Sequence, residues 1–547
     1  MSHLLRDKFL NRLAKEHSQI RYGSDVSLKV VLAFPSTYNV AMSNLGFHLV
    51  FASFNSIEGV VCHRAFLPDT ADLKATESIS LRSLESFEVI TDYDIVAFSL
   101  NYENDLPGVI QFLNLSRIPI HSEDRESHHP FVIAGGILTS LNPEPMSPFL
   151  DAMVLGEGEY VIPEIAKALK DTFGINRDRK DAKACLSAIP GIYIPSFYES
   201  FYDVSGNFSG LKYIGPRCEP PLKTRIVYDL NRISGSSVIH SEGHTLSQIH
   251  LVEISRGCPR KCLFCIIPQC YRHLRLKSVE RILEESSKAM GEMRIGLLGA
   301  GAADHPNLND ICRSLLDNGY SFSLSSLHAS EINPDLANLI LKNNTRTVTL
   351  AVETGNAQLR RKIRKNLTNE QIFEAVTLLC RDPVKILKLY FMIGLPGETI
   401  EDIEAIPRLS KRLYHLLISK HRQKTRIPKL VLSVSCFVPK PHSPFERAPM
   451  LDEKQLQVRL KILESMLRKI PNLQWTHDIP KWAIIQGLIA RGDRRIAQLI
   501  KKAGEGRSGW RSILKESSVN PGYYLFRKRP ISEKLPWDHM KFLPDVQ

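Results

Sequence analysis

The chain has 547 residues, 43% of them hydrophobic and 24% charged, with a formal net charge of +13. That length exceeds one ordinary domain and that apolar share fills large cores, which excludes a low-complexity or disordered chain. No run of about 18 apolar residues occurs, so no membrane span is expected, and ten cysteines over such a length are too sparse for a disulfide scaffold.

Residues 1–24 carry Leu4, Leu5, Phe9, Leu10 and Leu13 at helical spacing, interrupted by Asp7 and Glu16, and predict a packed helix rather than a signal segment. From Ser27 short apolar runs at 28–34, 95–100, 131–134 and 152–155 read as buried strands. Stretches 44–54, 106–115 and 160–169 read as covering helices, the alternation of a Rossmann-like parallel α/β sheet. Gly135-Gly136 and Gly156-Glu157-Gly158-Glu159 follow strands, where an open α/β sheet forms its ligand crevice. Segments 192–202 and 208–214, joined through Asp203–Gly206, predict a hairpin that closes this unit over 25–215. Pro216, Pro220, Pro221 and the polar stretch 234–247 mark a linker over 216–247.

The alternation restarts with expected strands at 250–254, 295–298, 322–327, 348–352, 386–393 and 431–437. Helices are expected at 279–290, 308–316, 335–341, 370–379 and 401–417. Six such repeats predict a partial barrel over 248–447, with its site at the C-terminal strand ends. Residues 448–547 are expected to be helical and basic, with helices at 454–469 and 481–502 and an irregular tail. The basic runs 411–426 and 491–511, the latter with Arg494, Arg495, Lys501 and Lys502, read as solvated helix faces in preference to a nucleic-acid footprint. The overall positive charge leaves an acidic partner such as RNA open.

Chemistry concentrates in the loop after the first barrel strand, Glu253-Ile-Ser-Arg-Gly-Cys-Pro-Arg-Lys-Cys-Leu-Phe-Cys-Ile266, where Cys258, Cys262 and Cys265 offer three thiolates. A four-iron cluster takes one cysteine on each iron, so three leave one iron free for another ligand. Cys270 could complete four thiolates around a structural zinc, whose usual signature is two short pairs separated by a longer span. Phe264, just before the third cysteine, suits shielding a cluster or packing on a purine. This spacing resembles the radical S-adenosylmethionine (radical SAM) superfamily, whose motif is CxxxC, one residue, an aromatic, then C.

The resemblance implies a [4Fe-4S] cluster on Cys258, Cys262 and Cys265, and S-adenosylmethionine bound at the free iron and reductively cleaved to start radical chemistry. It also implies a reductant protein such as flavodoxin or ferredoxin, and a cytoplasmic setting, because a labile cluster needs a reducing compartment. Gly299-Ala300-Gly301 follows the second barrel strand, where the superfamily often carries a GGE-like turn; the third place lacks a Glu, so the backbone at Gly299 and Ala300 is the candidate cofactor contact. Ala351-Val-Glu-Thr-Gly355 looks like the GxES element and makes Glu353 a candidate polar contact, with Arg361 or Arg364 as its structural partner. Met392-Ile-Gly-Leu-Pro-Gly-Glu398 is similar to the GLPGET turn beside the adenine. There Gly394 and Gly397 permit close approach, and Glu398 is read as a helix cap. Ser433–Phe445 resembles a segment of methylthiotransferases; within it Cys436 reads as a buried apolar cysteine, and His328 as a satisfied core histidine.

Arg21–Asp25, Asn39–Gly46, Asn142-Pro-Glu-Pro145, Gly156–Glu159 and Ala490–Arg495 extend the resemblance to uncharacterised bacterial radical SAM proteins with an N-terminal cobalamin-binding-type domain. The DxHxxG string of histidine-ligated cobalamin domains is absent, so cobalamin is expected only without a protein ligand, over the two glycine turns. Methyl transfer is the first reaction to consider. Methylthiolation or another modification of RNA or a small molecule is the second, and a zinc-containing RNA-binding protein is the reading from another class. No residue is assigned a catalytic role, and no motif names a substrate.

Overall fold

The computed structural model describes residues 2–23, 25–69, 80–216, 222–242, 246–271, 273–420, 427–506 and 508–540, with side chains from residue 6 onward. Pro220 and Pro221 of the expected linker, and 421–426 of the first basic run, lie outside the described residues.

The N-terminal unit is built on a six-stranded sheet of β1 (Leu28–Phe34), β2 (Val60–Phe66), β3 (Ile95–Ser99), β4 (Phe131–Gly135), β5 (Ala152–Val154) and β6 (Ile192–Tyr193). Its order is β2-β1-β3-β4-β5-β6; all neighbours run parallel except β6, which is antiparallel to β5. Helices α1 (Leu45–Asn55), α2 (Leu106–Leu115) and α3 (Val161–Phe173) cover it. Both faces are buried, with Leu28, Val30 and Leu32 in one apolar cluster and Val31, Val96 and Phe98 in another, which is why these strands read as continuous apolar runs. The strand order reverses between β1 and β3, and there an open α/β sheet has its crevice at the carboxyl ends. The hairpin is present as β7 (Tyr198–Tyr202) and β8 (Phe208–Tyr213).

Strand β2 was not legible, because His63 and Arg64 interrupt its apolar pattern. The Arg64 guanidinium is nonetheless buried, at 2.5 Å from Glu16 and 2.6 Å from Glu85, so the strand carries a paired charge into the interior.

The second unit has β9 (Ile249–Glu253), β10 (Arg294–Leu298) and β11 (Phe322–Leu324) in one parallel sheet. A second parallel sheet holds β12 (Thr347–Glu353), β13 (Ile386–Ile393), β14 (Lys429–Cys436) and β15 (Leu473–His477). A lone parallel bridge, Leu327 to Leu350, joins the two into one open barrel wall. The third strand is therefore shorter than 322–327. On β13, Leu387, Leu389, Phe391 and Ile393 are buried toward the helices while Lys388, Tyr390 and Met392 are half-buried, the period-two alternation of a barrel with a lumen.

Helices lie at 279–286, 308–317, 334–342, 369–379 and 400–420, close to the expected ranges, and the C-terminal region is largely helical. It adds the edge strand β15, whose Gln474, Thr476 and His477 hid it. The expected helix 481–502 is two helices, Pro480–Arg491 and Ala497–Gly504, because the Asp493 carboxylate accepts from Arg495 N and starts a new turn. Two motifs distant in sequence meet here. Asn142 Nδ2 donates to the carbonyls of Ala490 (3.1 Å) and Gly492 (2.7 Å), and Arg494 Nε donates to Glu144 Oε2 at 2.7 Å.

Candidate functional site

The cysteine loop leaves β9 and lies over the carboxyl end of the barrel. Gly257 turns it at φ 81°, Cys265 N donates to Cys262 O at 3.2 Å, and two cross-links anchor it: Leu263 N to Ile363 O at 3.0 Å, and Phe445 N to Leu263 O at 3.1 Å. Arg260, between the first two cysteines, donates to Asp304 Oδ1 after β10 and Glu331 Oε1 after β11, both at 2.7 Å. That arginine, which the sequence pattern did not mark, ties the loop to two barrel strands.

Burial raises all three thiols, Cys265 to about 11. Backbone N–H groups at Arg260 and Ile267 work against this at Cys258 and Cys265, and Lys365 does so at Cys262. Cys262 is also raised by Cys258, and Cys265 by both Cys262 and Cys258, so the three sulfurs share one electrostatic neighbourhood. Among the described residues no three His, Cys, Asp or Glu side chains converge as ligands of a single ion. A four-iron cluster takes one cysteine on each iron, and three thiols on one loop are donors that such a cluster could use.

Phe264 packs into a small apolar cluster at the barrel mouth with Met392, Leu395, Phe437 and Phe445. Gly299 sits where a Cβ would come within 2.1 Å of Ser255 Oγ, so close packing of two strand ends requires it, and Ala300 beside it is exposed. Glu353 ends β12 at a bulge with φ 71°. Its carboxylate accepts from Lys365 Nζ at 2.9 Å, so its partner is neither Arg361 nor Arg364; those two are exposed, while the turn at 364–366 brings Lys365 inward, near Cys258 and Cys262. Gly394 has φ 84°, in the left-handed region that favours glycine. Glu398 is not a helix cap. Both its carboxylate oxygens accept from Gly394 N (2.9 and 3.0 Å) and one accepts from Arg459 Nε at 2.8 Å, closing the turn, while Thr399 and Asp402 cap the helix that follows.

His328 is buried and bonded, its Nδ1 to Ser330 Oγ at 2.7 Å and its Nε2 to the Lys365 carbonyl at 3.3 Å; burial lowers it to about 4. Cys436 is buried and raised to about 12.

Between the two units lies a cavity of about 420 Å3. Its walls come from the carboxyl ends of the N-terminal sheet (Ala97, Ser99, Gly135, Gly136), from α1 (Gly46, Val50), from Gly156–Glu159, and from the barrel side (Glu253, Arg256, Leu298, Gly299, Ala300, Cys270). Arg256, two residues before Cys258, bridges the units: its guanidinium lies 2.5 Å from Glu159, 2.8 Å from Glu253 and 3.1 Å from Glu157. Glu157 also accepts from Arg275; burial pushes its carboxyl up, but the hydrogen bond from Arg275 and the charges of Arg256 and Arg275 outweigh it and hold the group below the usual range. A Cβ added at Gly135 or Gly158 would meet only side chains at 3.4 Å or beyond, so glycine faces widen the cavity there. The described lining residues include no histidine. Glycine edges and apolar walls with a few charged groups suit an organic ligand.

Residues 46–195 match the family model for the N-terminal part of radical SAM proteins, and residues 252–409 match that of the radical SAM superfamily. An uncharacterised protein of Methanocaldococcus jannaschii is 27% identical over 77% of this chain and 83% of its own length. An uncharacterised methyltransferase of Pyrococcus horikoshii is 26% identical over 52% of this chain and 58% of its own. A tRNA-2-methylthio-N(6)-dimethylallyladenosine synthase of Fusobacterium nucleatum is 25% identical over 32% of this chain and 44% of its own. The radical S-adenosylmethionine methyltransferase TsrM of Kitasatospora setae, solved with cobalamin and a [4Fe-4S] cluster, shares 16% identity with a TM-score of 0.49, covering 77% of this chain and 78% of that one.

The chain belongs to the radical SAM superfamily. It is an enzyme of that superfamily, whose cofactors are a [4Fe-4S] cluster and S-adenosylmethionine. No helix among the described residues is long and apolar enough to cross a membrane.

Proposed function

We propose that Cys258, Cys262 and Cys265 hold the cluster, that Gly299, Ala300, Glu353, Gly394 and Phe264 bound the S-adenosylmethionine site, and that the enzyme transfers a methyl group with cobalamin seated in the inter-unit cavity. The observation that carries this reading is the cavity itself, which runs from the glycine edges of the N-terminal sheet to Gly299 and Ala300 beside the cysteine loop. When bound, the cluster would supply an electron, S-adenosylmethionine a methyl group or a radical, and cobalamin a methyl carrier.

The chain's own residues do the positioning. Arg260 and the Leu263–Ile363 bond fix the thiol loop, and Lys365 sets the Glu353 carboxylate at the mouth. Glu398 holds the Gly394 turn, while Arg256 keeps the two cofactor regions in register and Phe264 with Phe437 excludes water. Methylthiolation would call for a second thiol set. The other described cysteines outside the loop are dispersed, Cys62, Cys312 and Cys436 each on its own element. A cytoplasmic location, a protein electron donor and a substrate that reaches the mouth from the barrel side complete the proposal.

The test is anaerobic reconstitution with hydroxocobalamin, followed by reaction with methyl-deuterated S-adenosylmethionine. A stoichiometric corrinoid spectrum supports the assignment. Protein that reconstitutes a cluster but retains no corrinoid after desalting rules cobalamin out.

A further inference from the structure

Resting on the assignment of a cluster to the three cysteines, we propose that Lys261, Arg361, Lys362 and Arg364 form the landing surface for a small acidic electron-carrier protein. All four side chains are exposed, and among the described residues none has an ion-pair or side-chain hydrogen-bond partner. Their neighbours differ: Arg260 is paired with Asp304 and Glu331, Lys365 with Glu353, and Arg360 is buried against the Thr354 and Leu367 carbonyls. The bond from Leu263 N to Ile363 O brings the segment that carries Lys261 against the segment that carries Arg361, Lys362 and Arg364, beside the cysteine loop.

The negative end of the short helix Ala357–Lys362 gives a local reason for cations at 361 and 362. It gives none for Lys261, on another segment, or for Arg364, which sits beyond the helix at φ 55°. Four uncompensated cations on these two segments repel each other, yet they raise the encounter rate of an acidic protein by roughly 10- to 1,000-fold, an effect screened beyond about 10 Å at 0.1 M salt. The segments border the loop where an electron must arrive. The carrier gives up one electron and returns to its oxidised form, the bound cluster gains that electron, and no bond is made or broken at the interface.

The experiment uses flavodoxin as the carrier and the variant Lys261→Gln/Arg361→Gln/Lys362→Gln/Arg364→Gln. Flavodoxin binding is measured by calorimetry on cluster-free Cys262→Ala protein with and without the four substitutions. S-adenosylmethionine cleavage is measured on the cluster-bearing proteins with reduced flavodoxin and, separately, with dithionite. The proposal predicts that the four substitutions weaken binding at least tenfold, flatten its salt dependence and slow flavodoxin-driven cleavage to match, while dithionite-driven cleavage stays within twofold. Unchanged binding and unchanged flavodoxin-driven rate overturn it, as does loss of affinity for tRNA with flavodoxin unaffected. If the fourfold variant does not fold by circular dichroism, Lys261→Gln and Arg364→Gln, one from each segment, must each weaken binding twofold or more, and no change in either overturns the proposal. A wild-type protein without a cluster would instead refute the cysteine assignment, and the calorimetry would still judge the surface.

Discussion

At Glu353 the backbone takes a left-handed conformation that costs a non-glycine residue about 1–2 kcal/mol. The bond to Lys365 offsets that cost, and both side chains are nearly buried, at 13% and 8% exposure. Lys365→Met leaves the Glu353 carboxylate unpaired, and we expect a loss of about 3 kcal/mol in urea unfolding, with Glu353→Gln milder because its amide oxygen can still accept from Lys365 Nζ. A Lys365→Met midpoint equal to wild type would show that the pair carries no stability. The contrast with the cysteines is physical. Cys258, Cys262 and Cys265 lie within eight positions, so spacing alone declares them. Lys365 reaches Glu353 only through a turn with Arg364 and Asn366 both at positive φ, which no local spacing encodes.

Among the elements, strands buried on both faces were legible from their apolar runs, and β13 matches its expected bounds, Ile386–Ile393. What escaped were strands with polar positions satisfied from far away: β2, whose Arg64 is neutralised by Glu16 and Glu85, and β15, which takes its register from β14. The glycine turns were placed correctly at strand ends, but their distance from the barrel was not in the sequence. Glu157 and Glu159 reach Arg256 across about 100 positions. A side chain grown from the end of β4 should fill the cavity without touching the thiol loop. Gly135→Leu is therefore predicted to lower corrinoid retention at least tenfold, read from the visible spectrum after desalting, while iron and sulfide content stays at the wild-type level. Equal loss of iron would mean that the substitution collapses the loop as well.

Across the whole molecule, burial holds three histidines far below their ordinary value of 6.5: His240, His328 and His442, each at about 4. Between pH 6.5 and 4 the unfolded chain binds protons at these sites that the folded chain refuses. Their contribution is complete above about pH 6.5 and is lost as the pH falls toward 4. Each contributes up to about 3 kcal/mol by that shift. Asp105, raised to about 6 by burial, acts in the opposite sense, as do Asp304 and Glu398, whereas burial also lowers His63, His250 and His539 and adds to the effect of the three rings. The urea midpoint should therefore fall between pH 7.5 and 5.0; a flat or rising midpoint contradicts the buried, neutral state of these rings.

The central claim is that three thiols of one loop, held by Arg260 and facing the Glu353–Lys365 pair, carry a four-iron cluster that opens S-adenosylmethionine. Its most direct test is to reconstitute wild-type and Cys262→Ala proteins anaerobically, add dithionite and S-adenosylmethionine, and assay metal, sulfide and 5′-deoxyadenosine. The account predicts about four iron and four sulfide per wild-type chain with formation of 5′-deoxyadenosine, and loss of both in Cys262→Ala. About one zinc per chain without iron, sulfide or nucleoside product, or a Cys262→Ala protein indistinguishable from wild type, would contradict it.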